Sequence, residues 1–364
     1  MQSLDNNTQA FLALVRAGLW EKEVRLSAYD TLDYPQVLNL SEEQSVVGLV
    51  AAGLEHVADG KPPKAIVLQL VGKALQLEQR NQAMNDFISS SVEAMRKEGI
   101  HSLLVKGAGL AQCYERPLWR SCGDIDFFFS QDEYDKAVDF FLNQENAKEV
   151  QNAHYTKSFG VVIEPWFIEI HGTLRNGLST KMDKEIDAVQ REQFEGKKAR
   201  SWENGKTVVC LPSPDNDVFL VFVHFVRHFY KEGVNLRQLC DWCRLLWKYR
   251  SELDAHILEK RIKRSDLMGE WRAFAALAVD YLDMPVDAMP LYSADKKWHV
   301  KGEKIMSYIL DRKESGKIAQ TLTIAKIFPG NTIRFSPSIF FHLNWLKIKE
   351  RVFGNGHGNR STTT

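Results

Sequence analysis

The sequence is short of several features that would place it in a specialised class. It has no excess of one charge: 47 Lys+Arg balance 47 Asp+Glu over 364 residues. No global electrostatic pull toward nucleic acid follows from that balance. Cysteine is scarce and scattered, at Cys113, Cys122, Cys210, Cys240 and Cys243. An odd number at irregular spacing argues against a disulfide framework. Cys240 and Cys243 form a C-x-x-C pair inside a helical-looking stretch, LCDWCRLLW, and no second pair lies near to complete a zinc site. A structural role is the expectation for both. Long apolar runs are missing; Val218 to Val226 falls well below the roughly 20 residues that span a bilayer. The first twenty residues carry Asp5 and Arg16 and lack a basic start followed by an apolar stretch. A reduced, cytoplasmic setting without a membrane span is expected. There is no internal repeat and no low-complexity core.

What is present is ordinary globular material. Apolar residues at 44% supply enough surface to bury real cores, which excludes a disordered chain or a collagen. The length suits two or three domains, or one core with helical additions.

Residues 1 to 99 read as helical. Phe11, Leu12, Leu14 and Val15 start an apolar stripe, Leu68, Val71, Leu75 and Leu77 continue it, and Met84, Phe87, Ile88, Val92 and Met95 extend it at a spacing near 3.6. Gly60-Lys61-Pro62-Pro63 interrupts the pattern as a loop, and Gly99 caps the last helix. The texture then changes. His101 to Val105 reads as a short buried strand, Gly123 to Phe129 as a second, Gln131 to Leu142 as a helix, and Val161 to Ile163 and Trp166 to His171 as further strands. This alternation argues for a small α/β unit with a mixed sheet. From Pro212 the chain returns to helix. Ser213 is expected as the cap and Pro214 in the first turn, followed by helices over Asn235 to Tyr249 and Trp271 to Leu282. From Asp295 to the end, 13 Lys+Arg stand against 5 Asp+Glu. Ile339 to Phe353 mixes aromatic and basic residues there, either as a helix packed on the body or as a contact for lipid, nucleic acid or a partner. Gly354 to Thr364 is polar and is expected to be disordered.

Asp124 and Asp126 are the chemical centre of the sequence. Two apart on a predicted strand, they leave the same face, with Cα atoms about 6.5 Å apart at about 3.3 Å per residue. Two carboxylates held side by side repel, and a divalent cation resolves the repulsion. Mg²⁺ prefers oxygen ligands, a few carboxylates with substrate phosphates making up the rest. Alone, an acid-apolar-acid triplet also fits a plain strand edge. Upstream, Lys106-Gly107-Ala108-Gly109 follows a strand and opens a helix, where glycine lets backbone approach phosphate and free N–H groups attract anions. Downstream, Phe167-Ile168-Glu169-Ile170-His171 turns Glu169 and His171 to one side. A third acid on a neighbouring strand would complete a three-carboxylate site.

Taken together, KGAGLAQCYERPLWRSCGDIDFFF followed by FIEIHGTL resembles the DNA polymerase β-like nucleotidyltransferase superfamily, in particular the bacterial branch of uncharacterised nucleotidyltransferases. The elements that carry the resemblance are Lys106-Gly107, Arg120, Asp124-Ile125-Asp126, and Glu169 with His171; Pro214-Asp215, His224, His228, Leu236-Arg237 and Asp241 look like the branch's later pattern. The resemblance implies an α+β fold, a small mixed-sheet nucleotidyltransferase palm flanked by helical regions. The expected division is an N-terminal helical region over 1–99, the palm over 100–211, a C-terminal helical region over 212–353 and a tail over 354–364.

It also implies a mechanism. Asp124, Asp126 and Glu169 would hold two Mg²⁺ ions about 4 Å apart, with Glu169 holding one metal or taking the acceptor proton. The donor would be a nucleoside triphosphate and the acceptor an unknown hydroxyl, with nucleic acid open but not favoured. Gly107 and Ala108 amides would cradle the triphosphate. Lys106 and Arg120 would neutralise its charge, or else end a strand and pair with an acid respectively. His171 would orient Glu169, touch substrate, or sit satisfied in the core. His224 and His228 would pack or line the acceptor cleft, and Arg237 with Asp241 would form a helix-surface pair or line it too. Many active members carry Ser where this chain has Ala108, which leaves backbone donors alone at that point. The alternative is a palm-like module that binds nucleotide or a partner without turnover.

Overall fold

Short polar side chains set the first helix starts. Asp5 accepts a hydrogen bond from the Thr8 backbone N–H at 3.0 Å and caps α1 (Asn6–Trp20). Asp33 does the same for α2 (Tyr34–Glu43) through the Gln36 N–H. α3 (Val47–Glu55) crosses α1 at backbone contact. A Cβ placed on Gly18 would lie 2.0 Å from the Leu49 carbonyl oxygen, so only glycine permits the crossing. The computed structural model describes residues 4–29, 31–60, 62–153, 157–196, 199–311 and 317–335.

α4 (Lys64–Lys97) is 34 residues long, and its two halves face different surroundings. Met84, Ile88, Val92 and Met95 are buried against the sheet. In the first half the buried residues are Leu70 and Ala74, whereas Leu68, Val71 and Leu75 are 71%, 41% and 49% exposed. The expected stripe through Leu68 is therefore corrected. This part of the helix carries apolar residues on two sides, roughly a third of a turn apart, and the N-terminal helices cover only the side that holds Leu70 and Ala74. Gly99, at φ +72°, turns the chain out of the helix.

Five strands follow: β1 (Leu103–Val105), β2 (Ile125–Phe128), β3 (Lys148–Ala153), β4 (Ser158–Ile163) and β5 (Trp166–His171). They form one mixed sheet in the order β1-β2-β5-β4-β3, with β2 and β5 parallel and the other pairs antiparallel. α5 (Gly107–Ala111) opens directly after β1, and α6 (Tyr134–Leu142) begins the crossover from β2. Ile125, Phe127, Ile168 and Ile170 face a core closed by the second half of α4 and by Phe140 and Phe141 of α6. Alternation leaves Asp126, Phe128, Glu169 and His171 on the other face.

The sequence reading names no element between His171 and Pro212. The structure has α7 (Thr180–Glu195) there and a hairpin of β6 (Ala199–Asn204) and β7 (Thr207–Pro212), whose two-residue turn Gly205-Lys206, with glycine first at φ +62°, is a hairpin signal. The rest is helical: α8 (Pro214–Lys231), α9 (Leu236–Tyr249), α10 (Ala255–Arg264), α11 (Met268–Leu282), α12 (Lys296–Leu310), α13 (Lys317–Ile327) and α14 (Pro329–Phe335). Pro214 occupies the first turn of α8, but the Ser213 side chain makes no capping bond; its N–H donates to Gln193 Oε1 at 3.0 Å instead.

Phe222 of α8, Trp242 of α9 and Trp271 of α11 interlock, with ring centroids 4.6 Å apart for Phe222–Trp271 and 4.8 Å for Trp242–Trp271. Cys240 and Cys243 are free and fully buried in this core. The same core extends into α1 to α3, so the first and last helical stretches share one interior. The architecture is α+β, a small mixed sheet flanked by N-terminal and C-terminal helices. No helix among the described residues is long and apolar enough to cross a membrane. The basic segment Ile339 to Phe353 and the tail Gly354 to Thr364 lie outside the described residues.

The two sides of α4 give a direct prediction. Ile88→Ala lowers the unfolding free energy by about 2–5 kcal/mol, while Leu68→Ser changes it by less than about 0.5 kcal/mol, as read by urea denaturation.

Candidate functional site

Parallel pairing of β2 with β5 sets Asp126 beside Glu169 and Phe128 beside His171. Among the described residues, one group has three such side chains close enough to hold a metal: Asp126, Glu169 and His171, with ligand atoms all within 4.8 Å of one another. His171 Nε2 lies 2.8 Å from Asp126 Oδ1 and 3.3 Å from Glu169 Oε2, so one imidazole nitrogen bridges two carboxylates. Lys106 Nζ donates to the same Asp126 Oδ1 at 2.6 Å.

The backbone delivers Lys106 to that spot. Val105 of β1 pairs with Asp126, and Lys106 at φ +56° with Gly107 at φ +34° then turns the strand into α5. A positive φ costs a non-glycine residue of order 1–3 kcal/mol and persists where its surroundings over-determine it. Here the ion pair with Asp126 does so. Gly107 also lets the turn pass the Asp124 carbonyl, which an added Cβ would meet at 3.3 Å. Ala108 is buried in α5. The amides of Gly107, Ala108 and Gly109 belong to its first turn, where intrahelical partners are lacking.

Charge compensation governs the titration of the cluster. Asp126 is 1% exposed. Burial pushes its carboxyl up, but Lys106 and His171 together outweigh burial and hold it far below the usual carboxylate range. The Asp126 charge, and then burial, push the Asp124 carboxyl up. Burial pulls Lys106 down, yet Asp126, Glu169 and Asp124 more than offset it and keep the ammonium form. Burial also pulls His171 down, and its bonds to Asp126 and Glu169 reverse the sign.

Asp124 differs from its expected place. β2 begins at Ile125, so Asp124 sits in the entry loop. It lines the same cavity but lies outside the tight cluster, where His171 stands instead. That cavity, of about 470 Å³, separates this sheet face from α8 and α9. Lys106, Gly107, Asp124, Asp126 and Glu169 line one side, and His224, Arg227, His228, Glu232 and Arg237 the other. A smaller space of about 140 Å³ continues past Glu169 and His171 to Thr173 and Asn176. His224 and His228 face each other with Nε2 atoms 3.1 Å apart. Burial is the first cause pushing both imidazoles below their ordinary value.

Arg120 reaches the cavity wall, but its guanidinium is taken. Its Nε and Nη2 donate to Asp241 Oδ1 and Oδ2 at 2.9 and 2.7 Å, and the Tyr114 hydroxyl adds a bond of 2.8 Å to Oδ1. The expected surface pair of Arg237 with Asp241 is thus corrected: Asp241 is buried and spent on Arg120, and Arg237 Nη1 donates to the Ser121 carbonyl at 2.7 Å. The loop that delivers Asp124 is pinned from α4 as well. Asn81 Nδ2 donates to the Leu118 and Arg120 carbonyls at 2.7 Å each, and Arg80 donates to the Cys122 and Gly123 carbonyls. Sequence reasoning missed Arg80, Asn81, Gln151 and Arg227 at or behind this site. Asn81 had a legible signal, a polar residue on the apolar side of α4; Arg227 sits one helical turn after His224.

A family model described as uncharacterised nucleotidyltransferase matches residues 30–283, which takes in the sheet and both walls of the cavity. No curated protein and no solved structure matches the chain.

The Arg120–Asp241 pair makes a testable contribution to stability. Asp241→Asn leaves a buried guanidinium without its counter-charge and lowers the unfolding free energy by about 3–5 kcal/mol at pH 7. Burial alone would raise the Asp241 carboxyl; Arg120 outweighs that and lowers it. A lowered carboxyl stabilises the fold above its unfolded value and loses that contribution as pH falls toward its folded value. Urea denaturation therefore shows the full gap between wild type and variant at pH 7, narrowing only below about pH 4.

Proposed function

The chain belongs to the uncharacterised nucleotidyltransferase family, and from that premise we propose that it moves a nucleoside monophosphate from a nucleoside triphosphate to a hydroxyl group, releasing pyrophosphate. The observation that carries this reading is the convergence of Asp126, Glu169 and His171 within 4.8 Å, with Asp126, Glu169 and Lys106 on the wall of a cavity of about 470 Å³. One wall holds Asp124, Asp126 and Glu169 with Lys106, and the other holds Arg237 and Arg227, the latter paired with Glu232 at 2.8 Å.

The donor set fits a divalent cation. Asp126 and Glu169 offer carboxylate oxygens side by side, Asp124 adds a third from the entry loop, and hard cations such as Mg²⁺ favour such oxygens. The buried carboxylate of Asp126 already draws a cationic group, the Lys106 ammonium, to 2.6 Å. Two Mg²⁺ ions held by these acids would supply charge neutralisation on the triphosphate and a more acidic acceptor hydroxyl.

The chain's own groups do the rest. Lys106 sits where it can exchange Asp126 for a phosphate oxygen and so counter charge on the departing pyrophosphate. The Gly107 and Ala108 N–H groups offer backbone donors to the same phosphates. Arg120, its charge matched by Asp241, holds the entry loop in place and does not face the phosphates. His171 keeps Asp126 and Glu169 in one orientation. In-line attack at the α-phosphorus then joins the acceptor oxygen to phosphorus and releases pyrophosphate.

The balanced net charge favours a small molecule, sugar or protein hydroxyl over a nucleic acid as acceptor. Ala108, with no hydroxyl to offer phosphate, is the one residue that favours the second reading, a module that binds nucleotide without turnover.

The test incubates α-phosphate-labelled ATP, GTP, CTP and UTP in turn with Mg²⁺, the protein and a cell extract. Wild type is expected to label an acceptor, and Glu169→Gln and Asp126→Asn to lower the rate about 100-fold or more. No labelling by wild type, with nucleotide bound equally by all three proteins, would replace transfer by the binding module.

A further inference from the structure

Transfer to a hydroxyl releases a proton inside the cavity, and α8 carries a line of groups suited to remove it. His228 Nδ1 lies 2.8 Å from Glu232 Oε2, and His228 Nε2 lies 3.1 Å from His224 Nε2. These contacts fix the tautomers. The Glu232 carboxylate only accepts, so His228 carries its proton on Nδ1 and leaves Nε2 bare. The bond between the rings then requires the proton of His224 to sit on Nε2, and His224 Nδ1 is left as a free acceptor.

That nitrogen has no hydrogen-bond partner among the described residues and is not one of the sealed, unpartnered atoms. His224 lines both the larger cavity and the smaller space that runs on past Glu169 and His171. At the far end of the line the Glu232 side chain is 46% exposed. Glu232 lines the larger cavity too and pairs with Arg227 Nη2 at 2.8 Å, so the line runs along the cavity wall to a carboxylate that water reaches.

Resting on the transfer reading above, we infer that His224, His228 and Glu232 form a relay that carries the acceptor's proton along the cavity wall to a solvent-exposed carboxylate. The acceptor O–H bond breaks as its oxygen bonds to the α-phosphorus, and the electron pair of the broken P–O bond leaves with pyrophosphate. The hydroxyl proton goes to His224 Nδ1, the proton on His224 Nε2 moves to His228 Nε2, and the proton on His228 Nδ1 moves to Glu232, which exchanges with water. His224 is the group that meets the substrate; His228 and Glu232 act through it as positioning residues.

The surroundings explain why one histidine is not enough. His224 faces Lys106, Asp126, Arg227 and His228, and burial with the nearby positive charges disfavours an imidazolium there. A proton accepted by His224 must be passed on. Packing alone would fill this part of α8 equally well with apolar side chains.

The experiment measures label transfer from the α-labelled nucleotide to the extract acceptor for wild type, His224→Ala and Glu232→Gln, each with and without free imidazole. Thermal midpoints check that the variants fold. The relay predicts a fall of about 100-fold or more in kcat for His224→Ala, recovery with imidazole, and an unchanged KM for the nucleotide. Glu232→Gln shows a smaller fall in kcat alone. Turnover by His224→Ala at the wild-type rate, or a loss that imidazole does not restore, overturns the relay and leaves transfer standing. If His224→Ala does not fold, Glu232→Gln decides, and unchanged kcat in that variant overturns the relay. Stoichiometric Zn²⁺ retained by wild type and lost in His224→Ala also overturns it, by making the pair metal ligands. No labelling by wild type removes the relay together with the transfer reading.

Discussion

A carboxylate taken out of water has to be compensated, and Asp126 sets that demand for the whole sheet. At 1% exposure it would protonate unless opposite charge stood against it. Lys106 and His171 meet it from two directions, one from the turn after β1 and one from the end of β5. The positive φ of Lys106 and the parallel register of β2 with β5 are parts of the same arrangement. Replacing either partner would leave buried charge unbalanced, so the cluster, the turn and the register stand or fall together.

The helices extend that arrangement outward. α4 and α9 hold the entry loop through its carbonyls, with Asn81, Arg80 and Arg237 as donors. Arg120 locks the loop to Asp241 on α9 with two bonds. The sheet thus supplies the acids, and the helical body fixes the distance to the opposite wall. Because α1 to α3 and α8 to α12 share one interior, that wall is backed by the largest core of the molecule. The site lies between a sheet face and a helix face that are each backed by a buried core.

Part of this was legible in the sequence and part was not. Asp-Ile-Asp and Glu-Ile-His state their own faces through the period of two, and the apolar density of Val218 to Val226 announces α8. The register that sets Asp126 beside Glu169 is not legible, because parallel strands are joined by a long crossover that leaves no local signal. Arg120 and Asp241 are 121 residues apart, so their pairing is a property of the fold alone. β3 is exposed along most of its length and lacks the alternation that marks a strand. The apolar stripe through Leu68 misled for the opposite reason: periodicity was present, but the element needed to bury it was not on that side.

The most direct measurement of the central claim is Mn²⁺ binding followed by electron paramagnetic resonance, with a non-hydrolysable triphosphate analogue present. The account predicts protein-bound Mn²⁺ showing phosphorus coupling from the analogue, with affinity falling sharply in Glu169→Gln. Mn²⁺ bound equally by wild type and Glu169→Gln, or bound without phosphorus coupling, would contradict a site in which these acids bring metal and triphosphate together.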